Sequence, residues 1–311
     1  MRVLLIGGSG QLGLSIINSR EKSKHLSLFY PTSKQLNLSD FLSIDRAFSE
    51  FKPELVINCA AYTNVDGAEL EKKTALKINC AGVGYLAEKV EEYNSLLIHV
   101  STDYVFGAEN TGPYSNEDNT SPINYYGFTK LEGEKEISLK TNNYLIIRTS
   151  SLMSHYDGNF AHTIITKLLN NDFVSVIDNQ NITVTCADYL SQCIHKICDL
   201  YMQKKSIDIS SNNIIHYSNL GYTNWFAVAD WIKKYLIINK IITDNNLVKP
   251  INSAEWVSEA KRPNDSRLAV DEKLFSLLNI KPVSWETNIE NVVDNYLLKY
   301  KEQKWLEKEL Y

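Results

Sequence analysis

The stretch Gly7-Gly8-Ser9-Gly10-Gln11-Leu12-Gly13 directly follows the apolar run Val3–Ile6 and opens a helical pattern. It matches G-x-G-x-x-G from Gly8 and G-x-x-G-x-x-G from Gly7. Glycines at these spacings let the backbone turn tightly and let a pyrophosphate come close, and the N-terminus of the helix offers unpaired N–H groups. Between a first strand and a helix, the pattern predicts a dinucleotide-binding turn.

Short apolar runs alternate with helical patterns through the first half of the chain. The predicted strands are Val3–Ile6, Ser27–Tyr30, Leu55–Asn58, Leu96–Val100 and Tyr144–Arg148. The predicted helices are Gln11–Arg20, Phe41–Phe51, Lys72–Tyr93 and Tyr125–Ser138. The strands are apolar on both faces, as parallel strands covered by helices must be. The alternation predicts an α/β fold with a doubly wound parallel sheet of the Rossmann type.

After about residue 150 the regular alternation of strand and helix patterns ends. All five tryptophans lie beyond residue 220. The predicted elements here are strands Phe173–Asp178 and Ile214–Ser218 and helices Cys186–Met202, Thr223–Ile238 and Asn288–Trp305. We therefore predict a dinucleotide-binding domain at residues 1–150. Residues 151–311 are predicted to form mainly a smaller, partly interleaved substrate-binding domain, with some segments returning to the Rossmann core.

Composition excludes several classes of function. The 311 residues carry a net charge of −5, without a block of like charge, which argues against nucleic acid and membrane surfaces as partners. No run approaches the roughly 20 apolar residues of a membrane helix. The five cysteines are odd in number and form no C-x-x-C pair, so we expect free thiols, no metal site and a cytoplasmic protein.

The sequence after the second predicted strand indicates which nicotinamide cofactor is bound. A carboxylate there would bind the ribose 2′-hydroxyl of NAD. The chain has no carboxylate between Leu28 and Leu36 and reads Thr32-Ser33-Lys34 instead. Hydroxyls and a lysine suit a 2′-phosphate, so we predict NADPH, with Lys34 as a contact and NADH as the alternative cofactor.

A Tyr-x-x-x-Lys pattern places a phenol and an ammonium one helical turn apart, where the ammonium can lower the phenol pKa from its usual value of about 10. The pattern occurs five times, and context selects Tyr126 with Lys130. Their helix follows a proline-containing loop, and the strand before it ends at Ser101-Thr102-Asp103, where Thr102 can point into the ligand crevice. The set predicts reduction of a carbonyl, with Tyr126 as proton donor.

Several motifs in order resemble the dTDP-4-dehydrorhamnose reductase family of extended short-chain dehydrogenase/reductases. They are Gly7–Gly13, Ala60–Asp66, Ser101–Phe106, Tyr126–Lys135, Arg148–Ser150 and Arg262–Leu268. The resemblance spans nearly the whole chain. It implies an NADPH-dependent enzyme that reduces the C4 ketone of a nucleotide-linked 4-keto-6-deoxy sugar.

The resemblance also assigns roles to individual residues. Tyr126 would protonate the C4 oxygen, Lys130 would hold the nicotinamide ribose, and Thr102 would bind the substrate carbonyl. Asp103 would contact the sugar, and Arg262 would either contact the nucleotide phosphates or form a surface ion pair. The implied cofactor contacts are Gly10, Gln11 and Leu12 at the pyrophosphate, Asn37 and Leu38 at the adenine side, and Ala61, Tyr62 and Thr63 beneath the cofactor, beside the turn glycines Gly7 and Gly13.

The chain departs from the family pattern in two places. Ser151 stands where the family carries a tryptophan that contacts substrate. Ser15 and Asp188 stand where some members have glutamates that bridge a homodimer through magnesium, so this magnesium-bridged assembly is not expected here, and the sequence leaves a homodimer of another kind open.

Two other classes of function remain as alternatives. A 4,6-dehydratase would carry Thr-Asp-Glu where this chain reads Thr102-Asp103-Tyr104, and an epimerase-reductase would carry a cysteine beside the catalytic hydroxyl. The non-enzymatic regulatory subunit of methionine adenosyltransferase also resembles this family. Intact Thr102, Tyr126 and Lys130 favour an enzyme.

Overall fold

The computed structural model describes residues 1–19, 25–109, 111–204, 213–270 and 272–309. The strands, numbered in chain order, are β1 Arg2–Ile6, β2 Ser27–Phe29, β3 Leu55–Asn58, β4 Leu96–Thr102, β5 Tyr144–Thr149, β6 Leu152–Met153, β7 Val174–Ile177, β8 Asn181–Ile182, β9 Thr185–Cys186, β10 Ile214–Tyr217, β11 Thr223–Asn224 and β12 Val248–Ile251. The α-helices are α1 Gln11–Asn18, α2 Phe41–Phe51, α3 Val65–Leu70, α4 Lys72–Leu76, α5 Gly82–Glu92, α6 Tyr125–Lys140, α7 Phe160–Leu169, α8 Ala187–Lys204, α9 Trp225–Ile238, α10 Glu272–Leu277 and α11 Trp285–Glu309.

A six-stranded sheet in the order β2-β1-β3-β4-β5-β10 forms the centre of the fold, and each neighbouring pair is parallel. The chain steps from β1 outward to β2 and then returns to the other side of β1 as β3. The direction of winding therefore reverses between β1 and β3, and such a reversal opens a crevice at the carboxyl ends of the strands. The predicted doubly wound parallel sheet is confirmed.

Alternating residues of β1 face the two helical layers. Val3 and Leu5 are buried among side chains of α1 and α8, whereas Leu4 and Ile6 are buried among side chains of α2 and α5. A strand's side chains alternate between its faces, so burial on both sides requires an uninterrupted apolar run. Each such side chain contributes roughly 1.5–3 kcal/mol when fully buried.

The predicted helix Lys72–Tyr93 is confirmed as a helical stretch from Lys72 to Glu92, but it is not α-helical throughout. It consists of α4, a π-helical segment Lys77–Ala81, and α5. The wider turn carries Asn79, which is buried and bonded to the backbone of Tyr62 on both its N–H and its carbonyl. π-bulges in helices are often found at functional sites, and this one holds the backbone that follows β3.

The second half of the chain builds its own apolar cluster and also returns to the sheet. Helices α7, α9 and α11 pack around β7 and β8 through buried residues such as Ile165, Ile232 and Val293. In contrast, α8 packs against α1, and β10 pairs with β5. Residues from both halves of the chain therefore surround the central sheet.

Most predicted bounds agree with the structure to within three residues. Arg20, the predicted end of the first helix, lies outside the described residues, and α1 ends at Asn18. The last helix begins at Trp285 rather than Asn288. In the described part of the chain, no helix combines the length and apolar character needed to cross a membrane.

Candidate active site

A cavity of about 440 Å³ lies at the carboxyl ends of the sheet strands, between the glycine turn and α6. Most of the residues predicted as site residues meet in its walls. They are Gly7, Gly10, Gln11, Leu12, Gly13, Ala61, Thr63, Thr102, Asp103, Tyr126, Lys130 and Ser151.

The glycine turn needs glycine at two positions for steric reasons. Gly7 has φ +86°, a left-handed conformation that other residues rarely adopt. A Cβ on Gly13 would overlap the carbonyl oxygen of Gly7. Helix α1 has no side-chain cap at Gly10, so the N–H groups of its first turn remain for a ligand. The turn therefore fits the pyrophosphate of a dinucleotide.

Helix α6 is held closely against the strand ends. Its N-cap Asn124 accepts a hydrogen bond of 2.8 Å from the Gly127 N–H and donates one of 2.9 Å to the carbonyl of Lys261. A Cβ on Gly127 would overlap the carbonyl oxygen of Tyr104, which allows the helix to lie against the segment after β4. This packing places Tyr126 and Lys130 in the cavity wall.

Burial dominates the electrostatics of the tyrosine–lysine pair. Burial raises the pKa of Tyr126 to about 12, against the opposing effect of a side-chain hydrogen bond with Thr102. Burial lowers the pKa of Lys130 to about 8. Lys130 Nζ donates to the carbonyl of Val100 at 2.7 Å and lies 3.1 Å from His99 Nε2. The expected lowering of the phenol pKa by the ammonium is not seen: burial raises this pKa, and Lys130 is not among the groups that shift it.

Asp103 is a buried carboxyl at the floor of the cavity, where it is only 3% exposed. It accepts hydrogen bonds from Thr102 Oγ1 at 3.1 Å and from Ser150 Oγ at 2.9 Å. Burial raises the pKa of Asp103 to about 6, and hydrogen bonds from Ser266, Ser150 and Thr102 act in the opposite direction. This carboxyl can therefore change its charge near neutral pH.

Five predicted site residues lie outside the lining of this cavity. Lys34 and Asn37 are exposed, Leu38 is buried beside Gly82, and Tyr62 is bound through its backbone to Asn79. Arg262 lines a neighbouring cavity and forms a bidentate ion pair of 2.6 Å with Asp66. Two roles were predicted for Arg262, a contact with the nucleotide phosphates or a surface ion pair, and the structure shows the ion pair.

The sequence reasoning missed several residues of the wall. Cys59, Ser150, Asp157 and Gly158 also line the cavity. Cys59 and Ser150 directly follow β3 and β5, so their places at strand ends are a signal that could have found them. Asp157 and Gly158 come from the loop before α7, whose position depends on contacts distant in sequence.

A second cavity of about 690 Å³ adjoins the first. Tyr104 lines it and packs edge-on against Tyr126 of the first cavity, with ring centroids 6.0 Å apart. Its other walls combine aromatic side chains with three cations. These residues are Phe160, Trp225, Trp256, Lys167, Lys261 and Arg262.

Ser15 and Asp188, the two residues at the positions of the family's bridging glutamates, are hydrogen-bonded to each other within this chain. Ser15 Oγ donates a hydrogen bond of 2.6 Å to Asp188 Oδ1. Among the described residues, no group of three or more His, Cys, Asp or Glu side chains could hold a metal ion. All five cysteines are free thiols.

Comparison with known proteins identifies the family. The family model of the RmlD substrate binding domain matches residues 1–298. A dTDP-4-dehydrorhamnose reductase of Sinorhizobium fredii is 32% identical over 303 residues, which is 97% of this chain and 100% of that protein. The crystal structure of a dTDP-4-dehydrorhamnose reductase from Clostridium acetobutylicum has a TM-score of 0.83 and 30% identity, and the match covers 96% of this chain and 100% of that one.

A second crystal structure, of the dTDP-4-dehydrorhamnose reductase of Bacillus anthracis in complex with NADP, has a TM-score of 0.81 and 28% identity, and covers 94% of this chain and 99% of that one. The resemblance stated from the motifs is confirmed over nearly the full length. The chain belongs to the dTDP-4-dehydrorhamnose reductase family.

Proposed function

We propose that the protein is an NADPH-dependent reductase of the C4 ketone of a dTDP-linked 4-keto-6-deoxy sugar. The observation that carries this proposal is the arrangement of Thr102, Tyr126 and Lys130 in one cavity that begins at the glycine turn. The relatives with the same fold and motifs are named as reductases of such a sugar.

The nicotinamide cofactor would supply the hydride that adds to C4. Tyr126, which burial keeps protonated at neutral pH, would donate a proton to the C4 oxygen. Thr102 is hydrogen-bonded to Tyr126 and would hold the same oxygen in place. Lys130 would bind the ribose of the cofactor, and Asp103 would bind the sugar.

The proposed cofactor site runs from the glycine turn along the end of β2. Gly7, Gly10, Gln11, Leu12 and Gly13 would hold the pyrophosphate. Ala61, Tyr62 and Thr63 would lie beneath the cofactor, and Asn37 and Leu38 would lie at the adenine side. Lys34 is exposed in the turn after β2 and would contact the 2′-phosphate of NADPH. The NADP complex of the B. anthracis relative supports NADPH.

The second cavity is the proposed site for the nucleotide part of the substrate. Trp225 and Phe160 offer apolar surface for a base, and Lys167, Lys261 and Arg262 offer positive charge for a diphosphate. Ser151 would lie at the sugar. In this proposal residues 1–150 bind the cofactor and residues 151–311 mainly bind the substrate, with α8 and β10 belonging to the first unit.

We also propose a cytoplasmic protein that forms a homodimer without a metal bridge. Five free thiols support a reducing compartment. The Ser15–Asp188 hydrogen bond occupies the place of the bridging carboxylates. Light scattering with and without a chelator tests the assembly, and a monomer, or a dimer that the chelator dissociates, would contradict it.

Oxidation of NADPH by the purified protein tests the main proposal. We expect turnover with dTDP-4-dehydrorhamnose or a related 4-keto sugar nucleotide. Binding of NADPH and of the sugar nucleotide without any turnover would instead favour the regulatory-subunit alternative. Release of water from a dTDP-hexose would favour the dehydratase.

A further inference from the structure

A chain of buried hydrogen bonds connects the backbone after β3 to Lys130. The N–H of Ala60 donates to Asn58 Oδ1 at 3.1 Å. Asn58 Nδ2 lies 3.0 Å from His99 Nδ1, and His99 Nε2 lies 3.1 Å from Lys130 Nζ. Asn58, His99 and Lys130 are each at most 2% exposed. Water cannot therefore satisfy a mismatched donor on Asn58 or His99.

The backbone fixes which way the Asn58 amide points. Because the Ala60 N–H needs an acceptor, Asn58 Oδ1 faces it and the amide NH₂ faces His99. An amide NH₂ group can only donate, so His99 Nδ1 must accept and carries no proton. Burial holds the pKa of His99 well below its usual value, so the ring is neutral, and because Nδ1 accepts, the proton is on Nε2.

The proton on His99 Nε2 points at Lys130 Nζ. An ammonium group has three donors and no acceptor, so a charged Lys130 would bring two donors face to face. A neutral amine has a lone pair that accepts from Nε2–H and still has N–H groups to donate to the carbonyl of Val100 at 2.7 Å. The contact is a hydrogen bond only when Lys130 is neutral.

We infer that Asn58 and His99 are positioning residues that favour the neutral amine form of Lys130 in the cofactor-free protein, and that binding of the nicotinamide cofactor is coupled to uptake of a proton by this neutral form. The inference rests on the proposed function. The cofactor's diphosphate and ribose oxygens favour the charged form of a lysine in the same cavity. The proton comes from solvent and converts the amine to an ammonium.

Of Lys130 and the three ionisable groups around it described next, only Lys130 has a pKa near 8. Cys59 faces it from the end of β3, and Tyr126 and Glu134 lie one turn away on α6. Burial raises the pKa of both Cys59 and Tyr126 to about 12. Glu134 is ion-paired with Arg148 at 2.6 Å. Burial lowers the pKa of Lys130 to about 8, so about half of the lysine is a neutral amine at pH 8 and most of it at higher pH.

Calorimetric titration of cofactor into the protein tests the coupling. The heat of binding is measured in two buffers with different ionisation enthalpies, and the difference gives the protons taken up. We expect uptake of about half a proton at pH 8 and more at pH 9, since the free pKa is about 8. The titration is repeated with NADH as a control. NADH lacks the 2′-phosphate, which titrates near pH 6 and could itself exchange a proton on binding.

Two variants separate this role from a merely structural one. In Asn58→Asp the carboxylate still accepts from Ala60 but now accepts from His99 Nδ1–H, so Nε2 becomes an acceptor for a charged Lys130. In His99→Gln the amide oxygen can accept from the ammonium. Both changes should reduce proton uptake at pH 8 while cofactor still binds, because they remove the preference for the neutral amine but keep the burial of Lys130. The matched control is His216→Gln, a buried histidine bonded to the carbonyl of Tyr114, which should keep the full uptake.

The outcomes distinguish this inference from the proposed function. Cofactor binding without proton uptake in the unmodified protein at pH 8 and 9 would overturn the inference alone, whether or not the variants fold. Full uptake in both folded variants would also overturn it. If neither NADPH nor NADH binds, the proposed function fails and the inference falls with it.

Discussion

Ser150 Oγ donates a hydrogen bond of 2.9 Å to Asp103 Oδ2 at the floor of the cavity. The two residues follow neighbouring parallel strands, β5 and β4, so the sheet itself sets their separation. The bond favours the charged carboxylate, while burial favours the neutral acid and dominates. The charge at this position therefore depends on pH and on Ser150.

Substitution of Asp103 by Asn should change how stability depends on pH. The folded pKa of Asp103 is about 6, above the usual 3.8. Between these values the folded state binds more protons than the unfolded state, so this group lowers stability as pH rises from about 4 to about 6. Asn cannot ionise, so the free energy of unfolding of Asp103→Asn, minus that of the unmodified protein, should increase across this range.

Chemical denaturation at a series of pH values measures this difference. Ser150→Ala is the matched variant, because loss of its hydrogen bond should raise the Asp103 pKa further and move the upper end of the change to higher pH. If the free energy of unfolding changes with pH in the same way for the unmodified protein and Asp103→Asn, the pKa of Asp103 is not raised.

The hydroxyl of Tyr126 should be needed for turnover but not for cofactor binding. Tyr126→Phe keeps the half-buried ring, so the fold and NADPH affinity should change little. The rate constant kcat should fall roughly 10²–10⁴-fold, which is the usual contribution of a positioned general acid. The control is Tyr125→Phe on the same helix, whose ring lies under Lys72. Near-normal kcat in Tyr126→Phe would remove this residue from its role.

Lys34 should decide the preference for NADPH over NADH. Its ammonium is exposed in the turn after β2, so Lys34→Ala should weaken NADPH binding more than NADH binding without loss of stability. Binding titrations with both cofactors measure the change, and Lys135→Ala, a surface lysine paired with Glu132, is the control. Equal affinity of the unmodified protein for the two cofactors would refute this reading of the Thr32-Ser33-Lys34 turn.

Arg262 allows a test of its two predicted roles. Its guanidinium is paired with Asp66, which lowers the pKa of that carboxyl to about 2, and it also lines the second cavity. If it binds the substrate diphosphate, Arg262→Ala should weaken dTDP binding roughly tenfold to a hundredfold, as expected for lost charged hydrogen bonds. Asp66→Asn keeps the guanidinium and should bind dTDP almost normally. Equal dTDP affinity in the unmodified protein, Arg262→Ala and Asp66→Asn would mean that Arg262 only forms the ion pair with Asp66 and does not bind the substrate.

The sequence predicted best those elements whose signal is local. Leu55–Asn58 and Phe41–Phe51 agree residue for residue with β3 and α2, because a buried apolar run or an amphipathic repeat bounded by polar residues needs no distant partner to define it. The meeting of the candidate catalytic residues in one cavity was predicted for a related reason. Thr102 and Tyr126 are fixed by a strand end and a helix start, and both can be read from pattern.

Features that depend on distant contacts could not be predicted. The π-helical segment Lys77–Ala81 forms where Asn79 bonds to Tyr62 and Thr129, partners 17 and 50 residues away. The pairing of Arg262 with Asp66 spans 196 residues. The expected effect of Lys130 on Tyr126 was wrong because spacing along a helix does not reveal how deeply the two groups are buried.

Ser151 should determine which sugar the enzyme accepts. It lines the first cavity with φ +44°, where the family's tryptophan would stand. A tryptophan buries about 150–250 Å² of apolar surface, so its absence should weaken a contact with a deoxysugar by roughly one to a few kcal/mol. The nearby Met153, His155 and Tyr156 could have replaced it, but none lies in the wall of this cavity.

We therefore expect the pocket to accept a sugar that is larger or more polar at this point than dTDP-4-dehydrorhamnose. Kinetics with dTDP-, UDP-, CDP- and GDP-linked 4-keto sugars compare kcat/KM in the unmodified protein, Ser151→Trp and the control Ser151→Ala. Ser151→Trp should shift the preference toward dTDP-4-dehydrorhamnose by about tenfold. The positive φ makes a bulky residue strained here, so thermal unfolding of each variant is measured alongside. A strong preference of the unmodified protein for dTDP-4-dehydrorhamnose, together with no shift in a folded Ser151→Trp, would mean that the specificity is the same and that another side chain replaces the tryptophan.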